Sequence, residues 1–267
     1  MRLAQWQLRA PRDRASISMG IFFLVSVTTA CAEPATEPCA AAHLPPAQAL
    51  HCGLLAERED GAARRDTRRA AFWYEQAAAA GSAEAMNNLG RLLASGTDDF
   101  PKDTARALSL LRQAAELGEP KAMYNLALLH ESGDGVARDQ GMALDWYERA
   151  AVLGHAQAQN VVATAYLYGA GRPKDRDRAI RFLFSAAGQG NASAAFHLGG
   201  LFAAGDGVLQ DDAEAYKWLT IARALGDDSI MLMADEAIGP LEQRMSPGDV
   251  EDAVARVKAW RPVRPRR

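Results

Sequence analysis

Five histidines, three cysteines and a scatter of carboxylates are the side chains of this 267-residue sequence with chemistry to offer. The histidines, His43, His51, His130, His155 and His197, stand apart, and none has a second ligand at the helical interval of an H-E-x-x-H zinc site. No G-x-S-x-G elbow, Walker loop or dinucleotide fingerprint occurs, so no nucleophile, base and oxyanion donors assemble. Asp98, Asp99 and Asp134 do not have the spacing of a calcium cage and read as solvated turns. Gly169-Ala170-Gly171-Arg172 looks like a phosphate cradle, but its position recurs along the chain, and turn geometry accounts for it. Asn191-Ala192-Ser193 has the form of a glycosylation sequon. The expectation is a protein that is not an enzyme and carries no cofactor or metal.

Recognition is the alternative to reaction, and it needs a surface. Glycines at 81, 118, 154, 190 and 226 close successive segments at intervals of 37, 36, 36 and 36 residues. A fixed interval of this size signals stacked units rather than one closed core. Each unit opens with a helical pattern: an alanine, a Leu-Gly-like pair four residues on, then a bulky residue. The instances are Ala85/Leu89/Gly90/Leu93, Ala122/Leu126/Ala127/His130, Ala158/Val162/Ala163/Tyr166 and Ala194/Leu198/Gly199/Phe202. This spacing places all four on one helical face. A glycine loop follows (132–139, 168–175, 203–211), with Asp139 and Asp211 as caps of the next helix. The loop at 95–103 is one residue longer, and a local bulge is expected there. The second helix carries Ala107/Leu110/Ala114/Ala115, Ala143/Trp146/Ala150/Ala151, Ala179/Phe182/Ala186/Ala187 and Ala215/Trp218/Ala222. A degenerate first unit has Cys52-Gly53 at the Leu-Gly position and Ala70/Trp73/Ala77/Ala78 in its second helix.

The pattern predicts an all-α protein of stacked helix pairs; its resemblance to tetratricopeptide-like stacks implies a right-handed α/α solenoid whose first helices line the inner, binding surface. A stripe some 100–150° from the packing face should front that surface. It contains Glu84, Asn87 and Arg91; Lys121, Tyr124 and Leu128; Gln157, Asn160, Thr164 and Tyr168; Ser193 and Phe196. Amides satisfy the backbone of an extended peptide and rings supply apolar anchorage, so Asn87, Arg91, Tyr124, Asn160, Thr164, Tyr168 and Phe196 are the candidate partner-binding residues.

These motifs, A-x-x-x-L-G-x-x-[YFL], G-x-G-V and A-x-x-[WF]-x-x-x-A-A-x-x-G, resemble the Sel-one-like repeat family, relatives of the tetratricopeptide repeats. The resemblance covers five units over residues 46–226. The segment from Ser246-Pro247 looks like the family's terminal helix, with Ser246 as N-cap, so 227–260 is expected to cap the stack, its first helix broken near Gly239-Pro240. The family resemblance implies a non-enzymatic exported adaptor or scaffold that binds a protein or peptide in envelope signalling or secretion-complex assembly. Rival readings are a cell-wall or β-lactam hydrolase and an envelope glycan binder.

The ends place the protein in the cell. Arg2, Arg9, Arg12 and Arg14 precede an apolar run, Ile17–Ala30, that is short for a span of roughly 20 residues and fits a signal peptide over residues 1–32. Two readings stay open: cleavage after Ala32, or cleavage before Cys31 with acylation there, which would make the protein a membrane-anchored lipoprotein. Either exports the chain to the periplasm or beyond. A proline-rich arm spans 33–45, and Cys39 and Cys52 are expected to pair in that oxidising setting, against the alternative of two buried thiols. The basic tail 261–267 is expected to be disordered. Residues 1–32 hold four of the 30 basic and one of the 33 acidic residues, so the remainder carries 26 against 32. That acidic balance speaks against nucleic acid as partner.

Overall fold

The computed structural model describes residue 39 and residues 43–58 and 66–263. The signal segment 1–32, Cys31, most of the arm 33–45 and residues 264–267 lie outside the described residues.

Five helical hairpins follow one another: α1 (Pro46–Ala56) with α2 (Thr67–Ala79), α3 (Ala83–Ser95) with α4 (Thr104–Glu116), α5 (Pro120–Ser132) with α6 (Gln140–Val152), α7 (Ala156–Tyr168) with α8 (Arg176–Gly188), and α9 (Ala192–Ala204) with α10 (Asp212–Leu225). Then come α11 (Asp228–Arg244) and α12 (Pro247–Ala259). From α1 to α11 each helix packs on the next, α12 packs back on α10, and the described residues contain no strand beyond an isolated bridge. This is an α/α solenoid.

The helices start where the sequence offers a cap. All five second helices begin behind an aspartate: Asp66, Asp103, Asp139, Asp175 and Asp211 each accept from a backbone N–H of the first turn. The carboxylate satisfies an otherwise orphaned donor and faces the positive end of the helix dipole, a contribution of about 1 kcal/mol at each site. First helices use a varied set, Ser82, Glu119, His155 and Asn191.

Inside each hairpin a small residue on the first helix meets a large one on the second. Gly53, Gly90, Ala127, Ala163 and Gly199 form one column; Tyr74, Leu111, Tyr147, Leu183 and Leu219, four residues after each second-helix alanine, form the other and are 0–3% exposed. A Cβ added at Gly90 would lie 2.8 Å from Leu111 Cγ. The knob is therefore one residue beyond the row that the sequence pattern singles out, in which Trp73 and Trp218 are buried and Leu110, Trp146 and Phe182 only half-buried. The tyrosines bring a polar tip into the contact, and each is met by a glutamate from the end of its own first helix. Tyr74 Oη donates to Glu57 and Tyr147 Oη to Glu131, both at 2.7 Å. Burial, then these carboxylates, push both phenols well above the ordinary tyrosine value. The three leucine hairpins have alanine or leucine where the glutamate stands (Ala94, Leu167, Ala203).

Neighbouring hairpins lock through their loops. Gly135 has φ +74°, and a Cβ there would run into Thr104 Cγ2 of the preceding unit. Lys102 pairs with Asp134 across the same seam, and Arg106 with Glu75 and Arg176 with Asp206 across two other seams. In the long loop the extra residue is absorbed by a tight turn in which Thr97 and Phe100 exchange backbone hydrogen bonds of 2.7 and 3.1 Å, with Asp98 and Asp99 exposed at its tip.

Both ends of the stack depart from the repeat. Cys52 takes the place of the leucine in the first unit and is bridged to Cys39, with Cα atoms 5.7 Å apart. At the other end α11 runs unbroken through Gly239-Pro240, against the expected interruption. Pro240 is exposed while Ile238 and Leu241 on either side are buried, so the carbonyl that loses its donor is on the water side of the helix. In α12, Ser246 and Asp249 form a capping box, and Ala253 packs into a satellite core with Tyr216, Leu219, Ile238 and Leu241. Arg261–Val263, expected to be disordered, are described: Val263 N donates to the carbonyl of Gly188 at 2.7 Å.

Two outcomes are expected. Gly135→Ala should destabilise by at least about 1–2 kcal/mol, the cost of a left-handed L-residue, read from urea melts. Reducing the Cys39–Cys52 bridge, which closes a short loop, should remove about 3 kcal/mol and lower Tm by roughly 5–10 °C in a calorimetric scan with and without reductant.

Candidate binding groove

The first helices form one layer. α3 touches α5 and α9 touches α11 directly, skipping the second helix between them. Counting from the leading alanine of each first helix, position +2 holds Asn87, Tyr124, Asn160 and Phe196, and position +3 holds Asn88, Asn125, Val161 and His197. The two rows meet between units: +2 of one repeat contacts +3 of the next. Asn125 Nδ2 donates to Asn87 Oδ1 at 2.7 Å, and His197 Nδ1 lies 3.3 Å from Asn160 Oδ1.

These rungs change what the stripe can do. Asn87 is 2% exposed and also donates to Asn88 Oδ1 at 3.1 Å, so its amide joins helices instead of facing a ligand. Asn160 is half-buried, and Thr164 Oγ1 donates back to its backbone carbonyl at 2.9 Å. Arg91 holds both oxygens of Glu57, at 2.6 and 2.7 Å, the same carboxylate that receives the Tyr74 hydroxyl. Tyr124 is half-buried, stacked on His155 with centroids 4.5 Å apart and tilted against Tyr147 at 5.4 Å. Phe196 is half-buried between the main and satellite cores. Tyr168, 65% exposed, and Leu128, 40% exposed, remain open.

Arg91 and Leu128 share a wall with Asn125, Glu131 and Asp134 around a cleft of about 400 Å³ between α3 and α5. Asn125, Glu131, His155 and His197 are the residues of this face that the stripe omits. For Asn125 and His197 the signal was a polar residue at +3, where a helix buried on that side would carry an apolar one; Glu131 and His155, at other positions, had no such signal. His130 is half-buried, as its packing column implies, and its Nδ1 has no hydrogen-bond partner among the described residues.

His155 has a second task, since its Nδ1 accepts from Ala158 N at 3.3 Å and so caps α7. Burial, reinforced by nearby Lys121, pushes its pKa down to about 4. A proton there would also remove the capping lone pair and set a cation at a helix N-terminus.

No three or more His, Cys, Asp or Glu side chains gather as a metal site among the described residues, and no helix among them is long and apolar enough to cross a membrane. The Sel1 repeat profile matches residues 45–82, 83–119, 120–155, 156–191 and 192–227. The chain belongs to the Sel1 repeat family. The solved structure of a Sel1 repeat protein from Oxalobacter formigenes is similar at 30% identity, with a TM-score of 0.65 over 80% of this chain and 87% of that one. A protective antigen of uropathogenic Escherichia coli with the same repeat fold matches at 24% identity and TM-score 0.67; the match takes in 81% of this chain and 45% of the antigen, less than half its length. An immunity protein from Pseudomonas aeruginosa shares the fold at 21% identity and TM-score 0.50. No curated protein matches the chain in sequence. The Sel1 units fall on the hairpins described above, so each of these rungs joins position +2 of one repeat to position +3 of the next.

Because the free histidine titrates near 6.5 and His155 near 4, the unfolded chain takes up the proton first as pH falls. The stabilisation is complete above about pH 6.5 and lost progressively toward pH 4. His155→Asn keeps a capping acceptor and cannot titrate. The Tm advantage of the parent over this variant should therefore shrink between pH 7.5 and 4, measured by circular dichroism.

Proposed function

We propose that this Sel1 repeat protein is a non-enzymatic exported adaptor that binds a segment of a partner protein along its first-helix face, with Leu128 and Tyr168 as anchors. The observation that carries this reading is the pairing of exposed apolar groups with a cleft on a rigid layer. Leu128 rims the cleft of about 400 Å³ between α3 and α5, and Tyr168 stands 65% exposed at the end of α7. Burying a leucine or tyrosine on association is worth about 1.5–3 kcal/mol, and fixed walls limit the ordering cost. Asn125, Thr164 and the outer edges of the Asn160 and His197 rung supply polar contacts beside those anchors. Asn87 and Arg91 support the wall from behind, since their polar atoms are committed to Asn125 and Glu57. The signal-like residues 1–32 motivate assignment to the periplasm or beyond, with a lipid at Cys31 as the membrane-held variant of the same idea. Envelope signalling or secretion-complex assembly is the setting that fits.

Leu128→Ser with Tyr168→Ala removes the two anchors without touching the interhelix rungs. Tagged parent and double variant, added to envelope extract of the source cells, should differ at least tenfold in recovery of co-purifying protein at unchanged Tm. Equal recovery would sink the groove reading.

A further inference from the structure

The chain's own C-terminus shows how this fold takes an extended segment. After α12, Trp260 turns into extended backbone and packs against the main core. Pro262 then passes over Gly190, where an added Cβ would lie 3.9 Å from Pro262 Cβ and 3.8 Å from Leu225 Cδ1. Val263 N donates to the carbonyl of Gly188, the last residue of α8. The final carbonyls of a helix have no partner within it. The tail thus uses an acceptor that each second helix leaves in the same place.

One repeat earlier that acceptor is the carbonyl of Val152, the last residue of α6, which no backbone N–H outside the helix reaches among the described residues. Beside it a groove of about 510 Å³ runs between α6 and α8. Glu148 and Val152 form one wall, Arg178, Arg181 and Phe182 the other, and Tyr166 lies at the base. Below them Gln159, 4% exposed, donates to the Ala151 carbonyl at 3.0 Å and accepts from Gln189, which fixes the base of the groove. Val152 is 76% exposed.

The charges of this groove are unequally spent. Arg172 bonds Glu148 at 3.0 Å and also pairs with Asp145. The Tyr166 hydroxyl donates to Glu148 at 2.9 Å. Arg178 is held by Asp175 at 3.1 Å and donates to the Tyr166 hydroxyl. Arg181 is exposed and pairs with no carboxylate among the described residues. What its uncommitted groups call for is a carboxylate opposite Arg181 and an apolar group over Val152 and Phe182.

We propose that the α6–α8 groove is a second docking surface, which takes an extended, proline-containing acidic segment of a partner protein in the way the chain's own tail lies across the adjacent α8–α10 edge. A backbone N–H of that segment meets the Val152 carbonyl, an aliphatic side chain covers Val152 and Phe182, and a carboxylate pairs with Arg181. The tail of a second copy has the wrong charge, since it carries Arg261, Arg264, Arg266 and Arg267. This surface lies in the second-helix layer and is independent of the first-helix reading.

The test uses the full chain and two fluorescein-labelled peptides, Trp-Glu-Pro-Val-Glu-Pro-Glu-Glu and the tail sequence Trp-Arg-Pro-Val-Arg-Pro-Arg-Arg, followed by fluorescence anisotropy at low salt. The acidic peptide should bind saturably and weaken about fivefold or more with Arg181→Glu, the scale of losing and reversing one exposed pair. Val152→Glu should weaken it similarly, and Leu128→Ser with Tyr168→Ala should leave it unchanged. Both groove substitutions are at exposed positions, and unchanged melting curves verify their folding. Absence of saturable binding, or indifference to both Arg181→Glu and Val152→Glu, overturns the proposal. Equal or tighter binding of the tail sequence overturns it in favour of exchange between copies, and loss with the Leu128/Tyr168 pair overturns it in favour of the first-helix face.

Discussion

Five times along the chain a glycine or alanine on one helix admits a leucine or tyrosine from the next, and the remaining architecture depends on that contact. It sets how closely the two helices of a hairpin approach. It thereby sets the height of each unit and the register in which the next unit arrives. The Cβ that Gly90 lacks would lie 2.8 Å from Leu111, so the fit leaves no room for even a methyl group without movement. Where the partner is tyrosine, the ring fills the space and its hydroxyl needs an acceptor. Glu57 and Glu131 provide one at the end of the same hairpin's first helix. A buried phenol without such a partner would cost roughly 1–3 kcal/mol.

Much of this was legible because a repeat states its rule several times. The interval of the closing glycines, the alanine columns and the serine cap at Ser246 all have local physical causes, and the structure has them in those places. The aspartate caps were equally periodic, although only Asp139 and Asp211 stand out by their neighbours. What sequence alone could not supply was contact between units. Asn87 looks like a free amide on a helix face until Asn125 of the following repeat arrives beside it. Knowing that they meet requires the rise and rotation per unit, which no single helix encodes. Pro240 misleads for a related reason. Its effect depends on whether the bereaved carbonyl faces water or protein, and only the packing of Ile238 and Leu241 decides that. The tail behaves likewise, since a proline-rich basic segment has no intrinsic fold and is ordered here by an acceptor 75 residues away.

The two layers divide the work. The first-helix layer is cross-braced by amides and an imidazole, which makes it rigid and consumes part of the polar equipment that would otherwise grip a ligand. The groups left outside the bracing are few, and the proposed adaptor role rests on them. In the second-helix layer the groove between α6 and α8 is edged by arginines with unequal commitments. If both proposed surfaces are used, the stack would hold two partners on opposite layers.

Linear stacks ordinarily come apart from their ends, where a terminal unit has one neighbour rather than two. Here one end is clipped covalently at Cys39–Cys52, and the other is tied by Trp260 and Val263 across two repeats. The clip fastens the arm to the first helix of the first unit, whereas the tail reaches back over the last repeat to the one before it. The interior seams have neither clip nor tie and rest on apolar packing between successive helices, on ion pairs and on side-chain rungs. A reducing medium would therefore loosen one end of the stack and leave the rest as it is.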